Sequence, residues 1–335
     1  MPNIVRIMPT GIDFPCQEGQ TILDAALSRD IALEYSCSNG RCGQCHANLL
    51  EGAVDRASYG ENIELPPEGL LTCSSKPLTN IVIEAHYHPE LQGIKRKMIP
   101  AKVEDIAFAN SNVLVLTLRM PPSARFSFLS GQYIDLHHNG ESRSYSIANA
   151  GVENNKIELH IKEVSGGLFS NFLFYSLTKG QLLRFFGPMG TFFLRDGDTR
   201  LIFLCTGTGF APVKSMVENL IAINSSRSIH IYWGGREISD LYSDLPFIWA
   251  QRFDNIKFTP VVSREKPLPE DSVFGYVQNA VTRDYVNLND TAVYACGSEI
   301  MIREAQLHLL DNGLDRHHFY SDAFLSSSKN TNKET

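Results

Sequence analysis

The alternation of apolar and polar positions changes character twice along the 335-residue chain. Up to about residue 88 the runs are short and mixed. Residues 4–8 and 11–15 alternate as a hairpin does, 21–30 places Ile22, Leu23, Ala26 and Leu27 at helical spacing, and 46–50 and 81–85 read as strands. The segment PELQGIKRKMIP follows, and its Pro, Gly and basic residues mark a linker at 91–98, expected to be mobile. Next comes a strand-rich stretch (102–106, 113–119, 132–138, 143–148, 156–164 and 182–186) with one short helix at 168–176. In residues 156–164, Ile157, Leu159 and Ile161 face one way and Glu158, His160 and Lys162 the other; such strands with Gly-Pro turns predict an antiparallel barrel. From residue 199 strands (201–205, 229–233, 256–262, 291–295, 318–320) alternate with helices (212–223, 238–251, 276–281, 299–312). That pattern predicts a doubly wound parallel sheet, which binds ligands at the carboxyl ends of its strands.

The boundaries expected are therefore 1–90, a linker at 91–98, 99–197, 198–325 and a disordered polar tail at 326–335. With 43% hydrophobic and 20% charged residues the chain is of ordinary globular composition. Its longest apolar runs, 201–205 and 113–118, are far below the roughly 18 residues of a membrane span. The amino terminus shows no secretory pattern, so a cytoplasmic address is the default. The net charge of −7 lies entirely in residues 1–90, which hold five basic and twelve acidic groups. That field argues against nucleic acid and for docking to a basic protein surface, with a merely solvated acidic face as the plainer alternative.

Five of the seven cysteines also lie there, and four are spaced Cys37-x4-Cys42-x2-Cys45, then Cys73 after 27 residues. This is the spacing of a plant-type 2Fe-2S site. Gly40 and Gly43 suit a backbone that wraps a cluster and turns its amides toward sulfur. A c-type haem site at 42–46 would leave Cys37 and Cys73 unexplained, a thioredoxin-like pair needs only two thiols, and a Rieske centre needs two histidine ligands. Structural zinc remains the alternative, although it favours two close pairs.

Further on, Arg143 and Tyr145 share a strand face beside Ser146, and Gly166, Gly167, Leu168, Phe169 and Ser170 open the short helix. Each is compatible with phosphate binding and equally with an ordinary surface arginine and a capped helix. Thr206, Gly207, Thr208 and Gly209, followed by Pro212, join a buried strand to its helix, where amides can meet a pyrophosphate. Cys296 and Gly297 end a later strand; a lone cysteine there is more often inert packing. The pairs His86/His88, His137/His138 and His317/His318 lack a metal-ligand partner in the sequence, which favours surface or packing roles.

In this order the motifs resemble the iron-sulfur flavoprotein reductases, in which a plant-type ferredoxin domain is fused to a ferredoxin-NADP reductase-like module. The resemblance rests on RSYSIANA at 143–150, GTFFLR at 190–195, TGTGFAPVKSMVE at 206–218, VYACGS at 293–298 and YSDAF at 320–324, and covers about residue 3 to Phe324. It implies a multidomain α+β and α/β fold: a β-grasp 2Fe-2S domain, an antiparallel β-barrel FAD domain and a doubly wound NAD(P) domain. It also implies that Cys37, Cys42, Cys45 and Cys73 hold the cluster. Arg143, Tyr145, Ser146 and the 166–170 segment would hold FAD, and the 206–212 loop with Cys296 and Gly297 the nicotinamide nucleotide. Ser146, Cys296, Asp322 and Phe324 would lie at the reacting rings; Asp322 stands where the family more often has glutamate.

Electron counting orders the cofactors. A nicotinamide gives two electrons at once and a 2Fe-2S centre takes one, so the flavin sits between them. Arg236, with Ser263 and Arg264, could meet an NADP 2′-phosphate. The plant members, however, carry a lysine where Phe274 stands, so NADH is the expected donor and NADPH stays open. The acceptor implied is a pyridoxamine phosphate-dependent sugar 3-dehydrase of 3,6-dideoxyhexose (O-antigen) biosynthesis, or alternatively an aromatic or alkane oxygenase, docking near the acidic ferredoxin domain. A carrier without turnover would need neither nucleotide motif. No membrane partner is implied.

Overall fold

The computed structural model describes residues 2–56, 63, 65–151, 155–197, 199–268 and 271–324. The 326–335 tail lies outside them.

The first sheet is built from β1 (Asn3–Met8), β2 (Ile12–Cys16), β3 (His46–Glu51), β5 (Gly69–Leu71) and β7 (Ile81–Glu84), ordered β2-β1-β7-β3-β5. A two-stranded ribbon, β4 (Val54–Arg56) with β6 (Ser75–Pro77), flanks it. The pairing of β1 with β7 is parallel and the other pairings antiparallel, as in a β-grasp. Helix α1 (Ile22–Leu27) starts at Thr21, whose side chain accepts from Asp24 N–H, and buries Ile22, Leu23, Ala25 and Ala26 on the sheet.

Six antiparallel strands follow: β8 (Lys97–Asn110), β9 (Val113–Arg119), β10 (Tyr133–His138), β11 (Glu141–Ser146), β12 (Lys156–Lys162) and β13 (Leu182–Met189), ordered β11-β10-β13-β8-β9-β12. An Ile147–Leu159 bridge closes the ends into a barrel. The strand expected at 102–106 is the middle of the 14-residue β8, which bends through two bulges to pair with β13 and then β9. Helix α2 (Leu168–Tyr175) plugs one end with Phe169, Leu173 and Phe174.

The third sheet is all parallel: β14 (Arg200–Thr206), β15 (Ile229–Gly235), β16 (Ile256–Val262), β17 (Val273–Phe274), β18 (Thr291–Ser298) and β19 (Phe319–Phe324), ordered β17-β16-β15-β14-β18-β19. Helices α3 (Phe210–Ala222) and α4 (Leu245–Arg252) cover one face, α5 (Val277–Asp284) and α6 (Glu299–Asp311) the other. Both faces are dry, which is why these strands read as apolar runs rather than alternations.

Three sequence expectations change. The helix expected at 238–251 is a single 3-10 turn, Ile238–Asp240, and then α4: a capping box between Glu237 and Asp240 opens the turn, Leu241 (ψ 83°) leaves the helical region after it, and Pro246 lies in the first turn of a new helix. The linker is not slack. Leu91 is buried with Ala32 and Phe193, Arg96 donates to Leu27 O at 2.7 Å, and residues 97–98 already belong to β8. On β12, His160 belongs to the polar set yet is buried, because that face meets the third sheet through Tyr242 (Nδ1–OH 2.8 Å).

Candidate functional site

The four cysteines of the motif converge. Cys45 Sγ and Cys73 Sγ are 3.1 Å apart, and Cys42 is hydrogen-bonded to Cys37. The Cys37 thiol is pulled down to about 5, chiefly by the Cys42 hydrogen bond and further by the amides of Asn39, Arg41 and Cys42 against the cost of burial. Cys73 is lowered by its hydrogen bond from Cys45 and by the Gly40 backbone N–H, whereas the shared thiol hydrogen bonds and then burial raise Cys42 and Cys45. Ser38, Gly40 and Gly43 sit at φ 55°, 75° and 77°, the left-handed turns that point successive amides inward. Four free thiols in two hydrogen-bonded pairs, one of each pair drawn toward thiolate by its partner and by backbone amides, fit a tetrathiolate iron-sulfur cluster.

This loop does not stand free. Ser36 Oγ donates to Asp322 Oδ1 at 2.6 Å, and Gln44 Nε2 to Ser321 Oγ at 2.8 Å, so the cluster loop lies against β19. Asp322 is buried, and burial raises its carboxyl to about 6 while the Ser36 hydrogen bond opposes the shift. Two residues on, Phe324 is 39% exposed at the strand end, in register with Ser298.

On the barrel, the Arg143 guanidinium lies 5.8 Å from the Phe169 ring centre and 3.4 Å from Glu141, and the Tyr145 ring is 6.4 Å from the same phenylalanine. Strand β11 and the start of α2 thus meet around Phe169. Burial raises the Tyr145 hydroxyl, and Ser146 is buried. Gly166 takes φ 73° to turn the chain into α2, and Ser170 Oγ accepts Val164 N–H at 2.8 Å, which fixes the turn. A half-exposed arginine beside a helix start, flanked by aromatic rings, fits a flavin with its pyrophosphate.

At the third sheet, β14 and β18 are neighbours from which the strand order runs outward in opposite directions, so their carboxyl ends form the switch point. Gly207–Gly209 form a 3-10 turn that runs into α3. A Cβ on Gly209 would lie 2.1 Å from Cys296 O, and one on Gly297 (φ 142°) 2.3 Å from Thr206 Oγ1. The two loops touch backbone to backbone, and only glycine allows it. Thr206 Oγ1 also accepts Ser298 N–H at 3.3 Å. Cys296 is fully buried with Cys205 and Phe210, and burial raises its thiol far above the usual range. This cradle of amides fits the phosphates of a dinucleotide.

Sequence comparison finds three domains in the same order along the chain. Residues 5–78 match the 2Fe-2S iron-sulfur cluster binding domain, 100–194 the oxidoreductase FAD-binding domain and 203–307 the oxidoreductase NAD-binding domain. The chain is 46% identical to the CDP-6-deoxy-L-threo-D-glycero-4-hexulose-3-dehydrase reductase of Yersinia pseudotuberculosis, over 96% of this chain and 98% of that one. The chain belongs to the iron-sulfur flavoprotein reductases. It is 44% identical to Protein RfbI of Salmonella typhimurium (98% of each chain) and 35% to reductase component 1 of the Comamonas terephthalate 1,2-dioxygenase (98% of each). Among solved structures, the Amycolatopsis cytochrome P450 reductase GcoB superposes with a TM-score of 0.80 at 25% identity, covering 96% of this chain and 98% of that one.

The reductase is an oxidoreductase with FAD-, NAD- and 2Fe-2S-binding domains. Among the described residues no helix is long and apolar enough to cross a membrane. Arg236 and Arg264 are exposed at the ends of β15 and β16, joined by an Arg264 N–H to Arg236 O bond of 2.9 Å. Acidic groups share that corner: Asp240 accepts Arg236 N–H and Glu265 accepts Ile238 N–H. Several site residues escaped the sequence reading. Ser36 and Gln44 carry no motif signal, and Lys162, the exposed end of β12, holds its Nζ 4.0 Å from where a Cβ on Gly207 would be, beside the nucleotide loop. The His86/His88 pair does have a carboxylate partner: the ligand atoms of Glu34, His86 and His88 lie within 4.8 Å of one another. The chain brings Glu34 there from 54 residues away, which spacing could not reveal.

Proposed function

We propose that this reductase draws electrons from NADH and delivers them to a pyridoxamine phosphate-dependent CDP-sugar 3-dehydrase. The supporting observation is the identity of 44–46% along nearly the whole chain to 3-dehydrase reductases and RfbI, against 35% for the terephthalate dioxygenase component. When bound, the flavin accepts a hydride from the nicotinamide and releases single electrons that a 2Fe-2S centre can carry.

The protein's part is placement. Thr206, Gly207, Thr208, Gly209 and Pro212 hold the nucleotide phosphates at the start of α3, with Gly297 keeping the floor low enough for the ring and Cys296 closing the core beneath. Arg143 and the first-turn amides of α2 hold the flavin pyrophosphate; Tyr145, Ser146 and Phe324 line its ring. Asp322 joins that end of β19 to Ser36, one residue before the ligand Cys37. The exposed carboxylates Glu18, Asp24, Asp30, Glu68 and Glu84 around the half-buried cluster loop give a partner its docking field. Acidic neighbours around Arg236 favour NADH over a nucleotide with an added phosphate.

The test is anaerobic reconstitution with a deoxysugar 3-dehydrase, pyridoxamine phosphate and CDP-4-keto-6-deoxyglucose, following NADH loss and the 3,6-dideoxy product. Coupled product formation supports the reading. Flavin and cluster reduction by NADH without product transfers the assignment to an oxygenase partner.

A further inference from the structure

We infer that Glu34 is a positioning residue: its half-buried clasp fixes the cluster loop against the flavin barrel and so sets the rate of electron passage between them. Glu34 stands three residues before the ligand Cys37. Its Oε2 accepts from His88 Nε2 at 2.6 Å, its Oε1 from the Thr191 hydroxyl at 2.8 Å, and Arg195 Nη2 approaches to 3.8 Å. These partners come from different layers. His88 follows the last strand of the β-grasp sheet and is 1% exposed, while Thr191 and Arg195 belong to the connection between β13 and β14. Arg195 is itself held: its guanidinium lies 3.8 Å over Phe193 and 5.2 Å from the Tyr320 ring of β19, and donates to Thr191 O at 2.9 Å.

The clasp continues without a gap to the ligand. Tyr35 N–H donates to Thr191 Oγ1 at 3.1 Å, and Tyr35 O accepts Thr191 N–H at 3.1 Å. Ser36 O accepts the Tyr133 hydroxyl of β10 at 2.7 Å, and Ser36 Oγ reaches Asp322. Three consecutive residues are therefore tied to the barrel and the third sheet immediately before Cys37. Burial works against charge on Glu34, but His88, Arg195 and Thr191 outweigh it and hold the carboxyl below its usual range. A half-buried charge, 28% exposed and held by several partners, is costly to disrupt, so it fixes one geometry.

A divalent cation is the competing use of Glu34, His86 and His88. The geometry disfavours it: the carboxylate is already bonded directly to the His88 ring, and the Arg195 cation faces the same oxygen.

The inference rests on the flavin-to-cluster order of the proposed function and not on which enzyme accepts the electrons. It is tested with Glu34→Gln protein carrying full flavin and cluster, mixed anaerobically with NADH in a stopped-flow instrument, alongside hydrogen exchange at residues 34–36. Flavin reduction within about twofold of the parent, with cluster reduction slowed by roughly tenfold or more and faster exchange of the Tyr35 amide, is the expected result. Parent-like values for both rates overturn it, as does an equal fall in both, which marks a general loss of structure. If Glu34→Gln does not retain its cofactors, Thr191→Val, which removes the hydroxyl shared by Glu34 and Tyr35, must show the same split; parent-like rates there overturn the inference. No cluster reduction by NADH in the parent would instead sink the electron path itself.

Discussion

The cluster loop and the β14–β18 junction are both tight backbone turns built on glycine, but they specify chemistry in opposite ways. Around Cys37–Cys73 the specification is in the side chains present: four thiols, with glycines that have room to spare, since a Cβ on Gly40 would touch nothing closer than Ser74 at 3.8 Å. At the junction it is in the side chains absent, for a Cβ on Gly209 or Gly297 would lie 2.1 or 2.3 Å from atoms of the opposing loop. The first kind of site takes three of its ligands from one local loop, Cys37 to Cys45, and only Cys73 arrives from 28 residues away. The second exists only when two strands 91 residues apart have paired in register, Cys205 opposite Cys296.

Four substitutions break or sharpen that contrast. The largest effect falls on the cluster: Cys42→Ser removes a ligand, so the electron resonance signal and acceptor reduction should disappear while NADH-dependent ferricyanide reduction persists. Loss of both activities with flavin still bound would refute the electron order. Gly209→Ala should cost about 3 kcal/mol, the upper part of the overpacking range, because its contact is backbone that cannot rotate away. A lowered thermal midpoint and a raised KM for NADH, with the cluster spectrum intact, are the measurements.

Glu158→Gln acts on the same side at one remove. Glu158 holds Lys214 of α3 at 3.1 Å and His160 at 2.9 Å, and these partners outweigh burial and lower its carboxyl to about 2. A folded value below the unfolded one stabilises above about pH 4.5 and is lost as pH falls toward 2. The variant should therefore be about 2 kcal/mol less stable at pH 7, after solvent screening, and indistinguishable from the parent near pH 2. Denaturant titrations across that range would show it; a constant difference would exclude the charge as the cause. Smallest is Gly40→Ala, about 1 kcal/mol from its left-handed φ alone, with no steric contact to add. A midpoint shift as large as that of Gly209→Ala would erase the distinction between the two kinds of glycine.

What could be read along the chain follows the same division. The Cys37-x4-Cys42-x2-Cys45 spacing, the alternation in β12 and the apolar runs of β14 and β18 are local periodicities, and each became the site wall, barrel strand or buried strand that its period demands. The 238–251 segment shows the limit: its apolar spacing suits a helix, yet the backbone leaves the helical region at Leu241 (ψ 83°) after one turn. His160 shows another, since a polar residue at an outward position says nothing about which element will cover it.

The sequence by itself determined the three layers and the Cys37–Cys42–Cys45 ligand loop of the cluster, because hydrophobic period and close thiol spacing act over short stretches of chain. Only the tertiary structure decided how the layers meet. Ser36 with Asp322, Glu34 with Thr191 and Arg195, and Gly209 with Cys296 are joined across 87 to 286 positions. No local pattern marks such pairs: the free energy that selects them comes from burying polar groups with their partners, and a partner is defined only after the chain has folded.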